Sequence, residues 1–226
     1  NEDEFDIVAF KPGYVGALAV GTERLLGKGE TLTANLTLEP GARTVSGTLK
    51  DADSGAPLAG VELLFITVDD NGLFDNRLCT LVWTDSAGQF SASVTAARWG
   101  ALVRRQTAAE LGYVHPNRGP LVVVDASAGN VADLELPMTK ATSVIWGTLT
   151  STRTDAQGNP VPLGGVEVMA VRSDGGNGRA WGITDGDGDY RLAVTPGRWR
   201  VYPFAMSLDD VDHGGSTWRT LSLSGD

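Results

Sequence analysis

Two stretches decide the fold: residues 83–99, WTDSAGQFSASVTAARW, and residues 183–199, ITDGDGDYRLAVTPGRW. Aligned at an offset of 100, they place Thr84 with Thr184, Asp85 with Asp185, Gly88 with Gly188, Phe90 with Tyr190, Val94 with Val194 and Trp99 with Trp199. Each opens on a turn-forming Asp-x-x-Gly group and runs on into alternating apolar residues, the pattern of a hairpin entering a half-buried strand. Upstream, VSGTLKDADSGAPLAGVELLF from Val45 is answered by IWGTLTSTRTDAQGNPVPLGGVEVMAV from Ile145, with Gly47 at Gly147. Gly60-Val61-Glu62 then matches Gly165-Val166-Glu167 at an offset of 105. The register slips only in stretches rich in Gly, Pro, Asp and Asn, where surface loops absorb length changes that cores do not. The chain therefore repeats a unit about one small domain long.

Around these anchors the sequence predicts short strands at GVELLFITV, LCTLVW, QFSASVTA, PLVVVDA, ADLELPM, GVEVMAV, DYRLAV and RWRVYPF. All are rich in Val, Leu and aromatics, and Gly, Asp, Asn and Pro turns separate them. Only RRQTAAELGY, residues 104–113, offers a helical turn. The expected class is all-β, with tandem antiparallel immunoglobulin-like or transthyretin-like sandwiches preceded by a partial β unit. The expected domains are residues 42–139 and 140–226. Residues 1–41 resemble the back half of a repeat: Gly13-Tyr14-Val15 answers Gly112-Tyr113-Val114, and Leu36-Thr37-Leu38 answers Leu134-Glu135-Leu136. Strands there, such as EFDIVAF and TLTANLTL, cannot close a sandwich alone. They are expected to be covered by a neighbouring subunit, with this chain's own next domain as the alternative, or by the upstream half of the same repeat if the chain is a fragment.

Composition narrows the function. The 18 basic and 28 acidic residues give a formal charge of −10, and Lys and Arg form no cluster. Nothing in this resembles the electrostatic footprint of a nucleic-acid-binding protein, so nucleic acid is not an expected partner. Cys79 is the single cysteine, which excludes an intramolecular disulfide and a CxxC metal site; its apolar surroundings predict a small buried hydrophobe. His115 and His213 lie in loop-like contexts, and neither GxSxG nor HExxH accompanies them. No apolar run approaches the length of a membrane helix, and the start NEDEF lacks the pattern of a signal peptide.

The pattern G-T, then G-x-P-L-x-G-V-x-V, then T-D-x-x-G-x-[FY]-x-L-x-V-x-P-G-x-[WY] resembles the carboxypeptidase regulatory-like domain. That domain is a transthyretin-like or prealbumin-like sandwich, related to the B-type repeats of Gram-positive surface adhesins. The second copy carries the pattern at Gly147, Gly158, Pro162, Leu163, Gly165, Val166, Thr184, Asp185, Gly188, Tyr190, Leu192, Val194, Pro196, Gly197 and Trp199. The first carries it at Gly47, Gly55, Pro57, Leu58, Gly60, Val61, Thr84, Asp85, Gly88, Phe90 and Trp99, with Ala96-Ala97 in place of Pro-Gly. The resemblance implies a secreted or cell-surface chain acting as a spacer, an adhesive repeat, a fibre subunit or an accessory to an enzyme. It also implies that a Lys to Asn or Asp isopeptide cross-link is conceivable, for which Lys50 with Asn130 or Asp133 are the residues to inspect.

Two groups of residues invite a ligand. Asp185, Asp187 and Asp189 alternate with glycines and look like part of a calcium loop, but an EF loop requires Gly at position 6 and Glu at position 12, where Tyr190 and Pro196 stand. The first copy keeps Asp85 and Gly88 but has Ala87 and Gln89 in place of the other two acids. The shared feature is a turn, with a surface calcium site as the alternative and no other cofactor expected. Among the tryptophans, Trp99 and Trp199 hold the repeat's own position, whereas Trp83, Trp146, Trp181 and Trp218 could be exposed; an indole partly buried at a domain junction is the expected outcome and a ligand platform the alternative, with Trp181 and Trp218 the glycan candidates. The expected function is a non-catalytic extracellular structural or adhesive protein, possibly a subunit of a cell-surface fibre or array, whose partners are copies of itself or other surface proteins. The alternative is a carbohydrate-binding or spacer module of a secreted glycan-active enzyme.

Overall fold

The structure, a computed structural model, describes residues 9–17, 29–31, 33, 35–116, 120–176, 178–203 and 219–223. In chain order its strands begin with β1 (Tyr14–Ala17), β2 (Leu38–Pro40), β3 (Arg43–Asp51), β4 (Glu62–Val68), β5 (Phe74–Trp83), β6 (Gln89–Val94) and β7 (Arg98–Val103). A short helix α1 (Arg105–Glu110) follows, then β8 (Tyr113–Val114), β9 (Val122–Asp125) and β10 (Val131–Lys140). The second copy supplies β11 (Ser143–Thr148), β12 (Thr150–Thr154), β13 (Pro160–Pro162), β14 (Glu167–Arg172), β15 (Arg179–Ile183), β16 (Asp189–Val194), β17 (Gly197–Pro203) and β18 (Arg219–Leu223). The fold is all-β and its strands pair antiparallel, except that β3 and β10 run side by side in the same direction, with Thr44 at Asn130, Gly47 at Leu134 and Lys50 at Glu135; the helical turn falls within the stretch from which it was expected.

The chain divides into two compact units, Asn1–Arg104 with Gly119–Pro137, and Arg105–Arg118 with Met138–Asp226. In the first, a sheet ordered β2-β1-β5-β4-β7-β9 faces a sheet containing β6-β3-β10. Alternate residues of each strand turn inward, so Val45, Leu49, Phe90, Val94 and Leu136 from one sheet and Leu63, Phe65, Trp99, Ala101 and Val103 from the other are buried. Phe65 and Phe90 meet across the core with ring centroids 5.7 Å apart. In the second unit, β15-β14-β17-β18 form one sheet and β11-β16 another, enclosing Ile145, Val168, Ala170, Leu192, Val194, Trp199 and Val201.

The repeat holds to the level of single hydrogen bonds. Trp99 and Trp199 are both fully buried, and each indole N–H donates to the carbonyl four residues earlier, Thr95 at 3.1 Å and Thr195 at 2.9 Å. A buried indole needs such an acceptor, because desolvating its one donor unpaired is costly. Thr84 and Thr184 are buried as well. The Thr84 hydroxyl accepts from the Val61 N–H at 2.9 Å and donates to the Leu58 carbonyl at 2.6 Å; the Thr184 hydroxyl does the same with Val166 and Leu163, at the same two distances.

The tail of a repeat is also used twice. In the first unit β1 pairs with β2 through Tyr14↔Pro40 and with β5 through Gly16↔Cys79. In the second, β8 pairs with the end of β10 through Val114↔Thr139, and a β-bridge joins His115 to Arg179. Gly16 follows Gly13-Tyr14-Val15 as His115 follows Gly112-Tyr113-Val114, and Cys79 and Arg179 stand at equivalent places 100 residues apart. Residues 105–118, which by sequence lie inside the first copy, thus serve the second unit as the start of the chain serves the first. The described part of residues 1–41 takes the intramolecular cover, with Val15 fully buried in its own unit. Its strands are fewer than expected. Among the described residues of TLTANLTL, Leu38 alone is in a strand, since Leu38–Pro40 has β1 beside it while Thr31, Thr33, Asn35, Leu36 and Thr37 have no neighbouring strand. In EFDIVAF, residues 4–8 lie outside the described residues, and Ala9 and Phe10 are not in a strand.

Candidate functional site

The acidic stretch belongs to a turn found four times among the described residues. At Asp69, Asp85, Asp155 and Asp185, the residue four places on exchanges a backbone bond with the aspartate, and the glycine three places on donates to the aspartate carbonyl. In all four the carboxylate accepts the N–H groups of the second and fourth residues beyond it: Asn71 and Leu73, Ala87 and Gln89, Gln157 and Asn159, Asp187 and Asp189. The glycines Gly72, Gly88, Gly158 and Gly188 all have φ between 71° and 84°, a region that residues with a Cβ avoid. Bonds to the backbone favour the ionised carboxylate, and those from Leu73 and Asn159 hold Asp69 and Asp155 below the ordinary carboxylate value. In the second copy, the Asp185 carboxylate is therefore directed to its own turn, and the Asp189 carboxylate accepts a hydrogen bond from the Thr148 hydroxyl. Among the described residues, no group of three or more His, Cys, Asp or Glu is arranged to hold a metal ion.

The tryptophans without a place in the repeat divide into exposed and buried ones. Trp146 and Trp83 are the exposed ones, at 80% and 59%, whereas Trp181 is only 8% exposed; Trp218 lies outside the described residues. Trp181 is buried because α1 packs across β15, a tertiary contact absent from its local pattern. Its ring meets the His115 imidazole edge-on at 5.5 Å, with the Arg105 guanidinium 5.2 Å and the Arg179 guanidinium 5.9 Å from its centroid. Its indole Nε1 is buried with no acceptor among the described residues. Beside it opens a recess of about 310 Å3, lined by Arg105, Gln106 and Glu110 of α1 and by Glu167, Ile183 and Arg191 of the strands. Two guanidiniums, two carboxylates and an amide around an apolar floor can hydrogen-bond a polar, uncharged ligand such as a sugar ring.

The remaining candidates are structural. Lys50 reaches Glu135 at 2.7 Å, while the Asn130 side-chain oxygen accepts the Thr44 N–H. The lysine thus faces a glutamate, and neither Asn130 nor Asp133 takes that place. Cys79 is fully buried, and desolvation pushes its thiol up to about 11, so it carries almost no thiolate at neutral pH. His115 is held in the β-bridge to Arg179, with Nδ1 2.9 Å from the Pro116 carbonyl; His213 lies outside the described residues. Sequence reasoning named Trp146 as a residue that could be exposed but did not single out β11, where Val144 is exposed beside it. The signal was present: the first copy has Thr44 and Ser46 at these two places.

No helix among the described residues is long and apolar enough to cross a membrane. No family model matches the chain, and no curated protein matches it. Among solved structures, the Bacillus anthracis TIE protein is 14% identical over 85% of this chain and 35% of its own, with a TM-score of 0.34. A streptococcal ancillary pilin is 13% identical over 80% of this chain and 59% of its own, TM-score 0.34. The minor pilin GBS52 of Streptococcus agalactiae is 14% identical over 81% of this chain and 92% of its own, TM-score 0.36. The chain spans about a third of the first protein's length and under two thirds of the second's. These are distant resemblances between β proteins, and they assign no role to any residue described above.

Proposed function

We propose that this chain is a non-catalytic, load-transmitting part of a secreted or cell-surface protein, a tandem of carboxypeptidase regulatory-like sandwiches that serves as a subunit of a surface fibre or array. The observation that carries the reading is the duplication of structure-forming detail. The tryptophan clamp, the threonine buckle and the Asp-Gly turn recur in both copies, while the residues that could do chemistry do not recur: Asp187 and Asp189 face Ala87 and Gln89, Lys50 faces Thr150, and Trp181 faces Leu81. Repetition of scaffold without repetition of a reactive group fits a protein whose product is length and surface. Negative-stain microscopy and sedimentation of the purified chain, with fractionation of the source cells, test it. Elongated assemblies and a surface location are expected; a compact monomer recovered from the cell interior would refute it.

The glycan-binding alternative draws on one observation, the buried Trp181 N–H without an acceptor beside the polar recess. A glycan array with wild type and Trp181→Phe, which removes the donor while keeping most of the apolar bulk, tests it. Specific binding lost in the variant would favour this reading over the fibre reading.

A further inference from the structure

At one corner of the second unit the chain departs from the shared scaffold, and it does so in a single chemical direction. Where the first copy has Cys79, Leu81 and Ser91, the second has Arg179, Trp181 and Arg191. The arginines are scattered along the sequence, yet the fold gathers them. The Arg105 and Arg179 guanidiniums lie 5.2 Å and 5.9 Å from the Trp181 ring centroid, and Arg105 and Arg191 line the recess beside it. In a chain with a formal charge of −10 this is a local inversion of sign.

The recess balances in formal charge, with Arg105 and Arg191 against Glu110 and Glu167, but its groups are not equally engaged. The Glu110 carboxylate accepts from the Gln106 amide at 3.1 Å, and Glu167 is engaged as well. Arg191 is exposed, and its side chain makes no hydrogen bond or ion pair among the described residues. The Trp181 Nε1–H, in a residue only 8% exposed, has no acceptor. Both uncommitted groups are donors, so a ligand that completes the site must bring acceptors. A donor left unpaired at such depth costs stability, and a guanidinium offers a planar fork whose geometric match is a carboxylate.

The two acids decide what else the ligand carries. Glu110 and Glu167 repel a phosphate dianion, whereas the remaining lone pairs of their carboxylates can accept from hydroxyl groups. Ile183, 58% exposed, gives the recess an apolar wall that suits the C–H face of a ring. A volume of about 310 Å3 is at the small end of ligand sites, enough for one sugar ring.

We propose that this recess binds a saccharide residue bearing a carboxylate, a uronic acid, with the carboxylate on Arg191 and the ring hydroxyls on Glu110 and Glu167; the proposal rests on the glycan-binding reading and names the class of sugar. Because Arg191 has no partner to lose, Arg191→Ser, which restores the residue of the first copy, should fold with an unchanged Tm.

The test is calorimetric titration of the intact chain with trisaccharides of galacturonate, glucuronate, mannuronate and guluronate. Each is compared with its methyl ester, in which the same carboxyl carries no charge, a comparison that needs no variant, and with a neutral trisaccharide carrying a 6-O-sulfate. At least one uronate should bind, its methyl ester at least tenfold more weakly, and Arg191→Ser should lose at least tenfold in affinity for it. An ester that binds as tightly as the acid, a sulfated sugar that binds more tightly, or an affinity unchanged in Arg191→Ser would each overturn the proposal and leave the glycan-binding reading standing. So would binding of neutral glycans on the array with none of the four uronates bound. Absence of binding to any saccharide, charged or neutral, would remove both.

Discussion

Replacing Thr84 by valine removes one hydroxyl and almost no volume, and the structure says what that hydroxyl does. It satisfies the buried Val61 N–H at 2.9 Å and the Leu58 carbonyl at 2.6 Å, tying the loop before β4 to the end of β5. Valine leaves both backbone groups without that partner, in a place where Thr84 itself is 4% exposed and water does not easily substitute. An unsatisfied buried donor or acceptor costs about 1–3 kcal/mol, and the added methyl recovers under about 1 kcal/mol, so a net loss of about 2–4 kcal/mol is expected. For a domain of about 100 residues each kcal/mol shifts Tm by about 4–8 °C, which places the transition of the first unit about 8 °C lower or more. Thr184→Val should produce a loss of similar size in the second unit, because its hydroxyl makes the same two bonds. Calorimetry on the two single variants and the double variant reads this out, the two losses adding because the sites share no partner. A loss below about 0.5 kcal/mol in either single variant would refute the reasoning, since it would mean that water or a rearranged loop satisfies the two groups.

Gly47→Ala should unfold or strongly destabilise the first unit, since its Cβ would meet the backbone of β10, whereas Gly147→Ala meets only the ring of Tyr190 and should be clearly milder; denaturant midpoints of the two variants check the asymmetry. Asp174 is held well below the ordinary value of 3.8, first by the Arg172 guanidinium and then by the N–H groups of Arg198 and Gly176. A carboxyl depressed in the folded state contributes its stability above its unfolded value and loses it as pH falls, so Asp174→Asn should flatten the decline in stability below about pH 4 and leave the neutral plateau simply lower. Acid titration of unfolding midpoints tests this, and an unchanged slope would contradict it. Calcium should leave stability unaltered because the Asp185 carboxylate serves its own turn; a chelator-induced fall of several degrees in Tm that Asp187→Ala abolishes would overturn the turn assignment.

What the sequence determined by itself was the scaffold. Spacings such as Thr84 to Trp99 and Thr184 to Trp199 are local, and local periodicity with a glycine at positive φ is enough to fix strands and hairpins before any distant contact forms. The Asp-x-x-Gly turn was legible as well, because the spacing recurs at residues 69, 85, 155 and 185 and makes the same backbone bonds at each. The tertiary structure decided where each tail is used and which surfaces stay open. Trp181 is buried by α1, contributed by residues 105–110, a cover that its own strand does not announce. Trp146, on β11, is exposed at a place where the first copy has Ser46. Whether a side chain meets solvent depends on which non-adjacent element lies over it, and that is settled by packing between segments far apart in the chain, to which no short window of sequence has access.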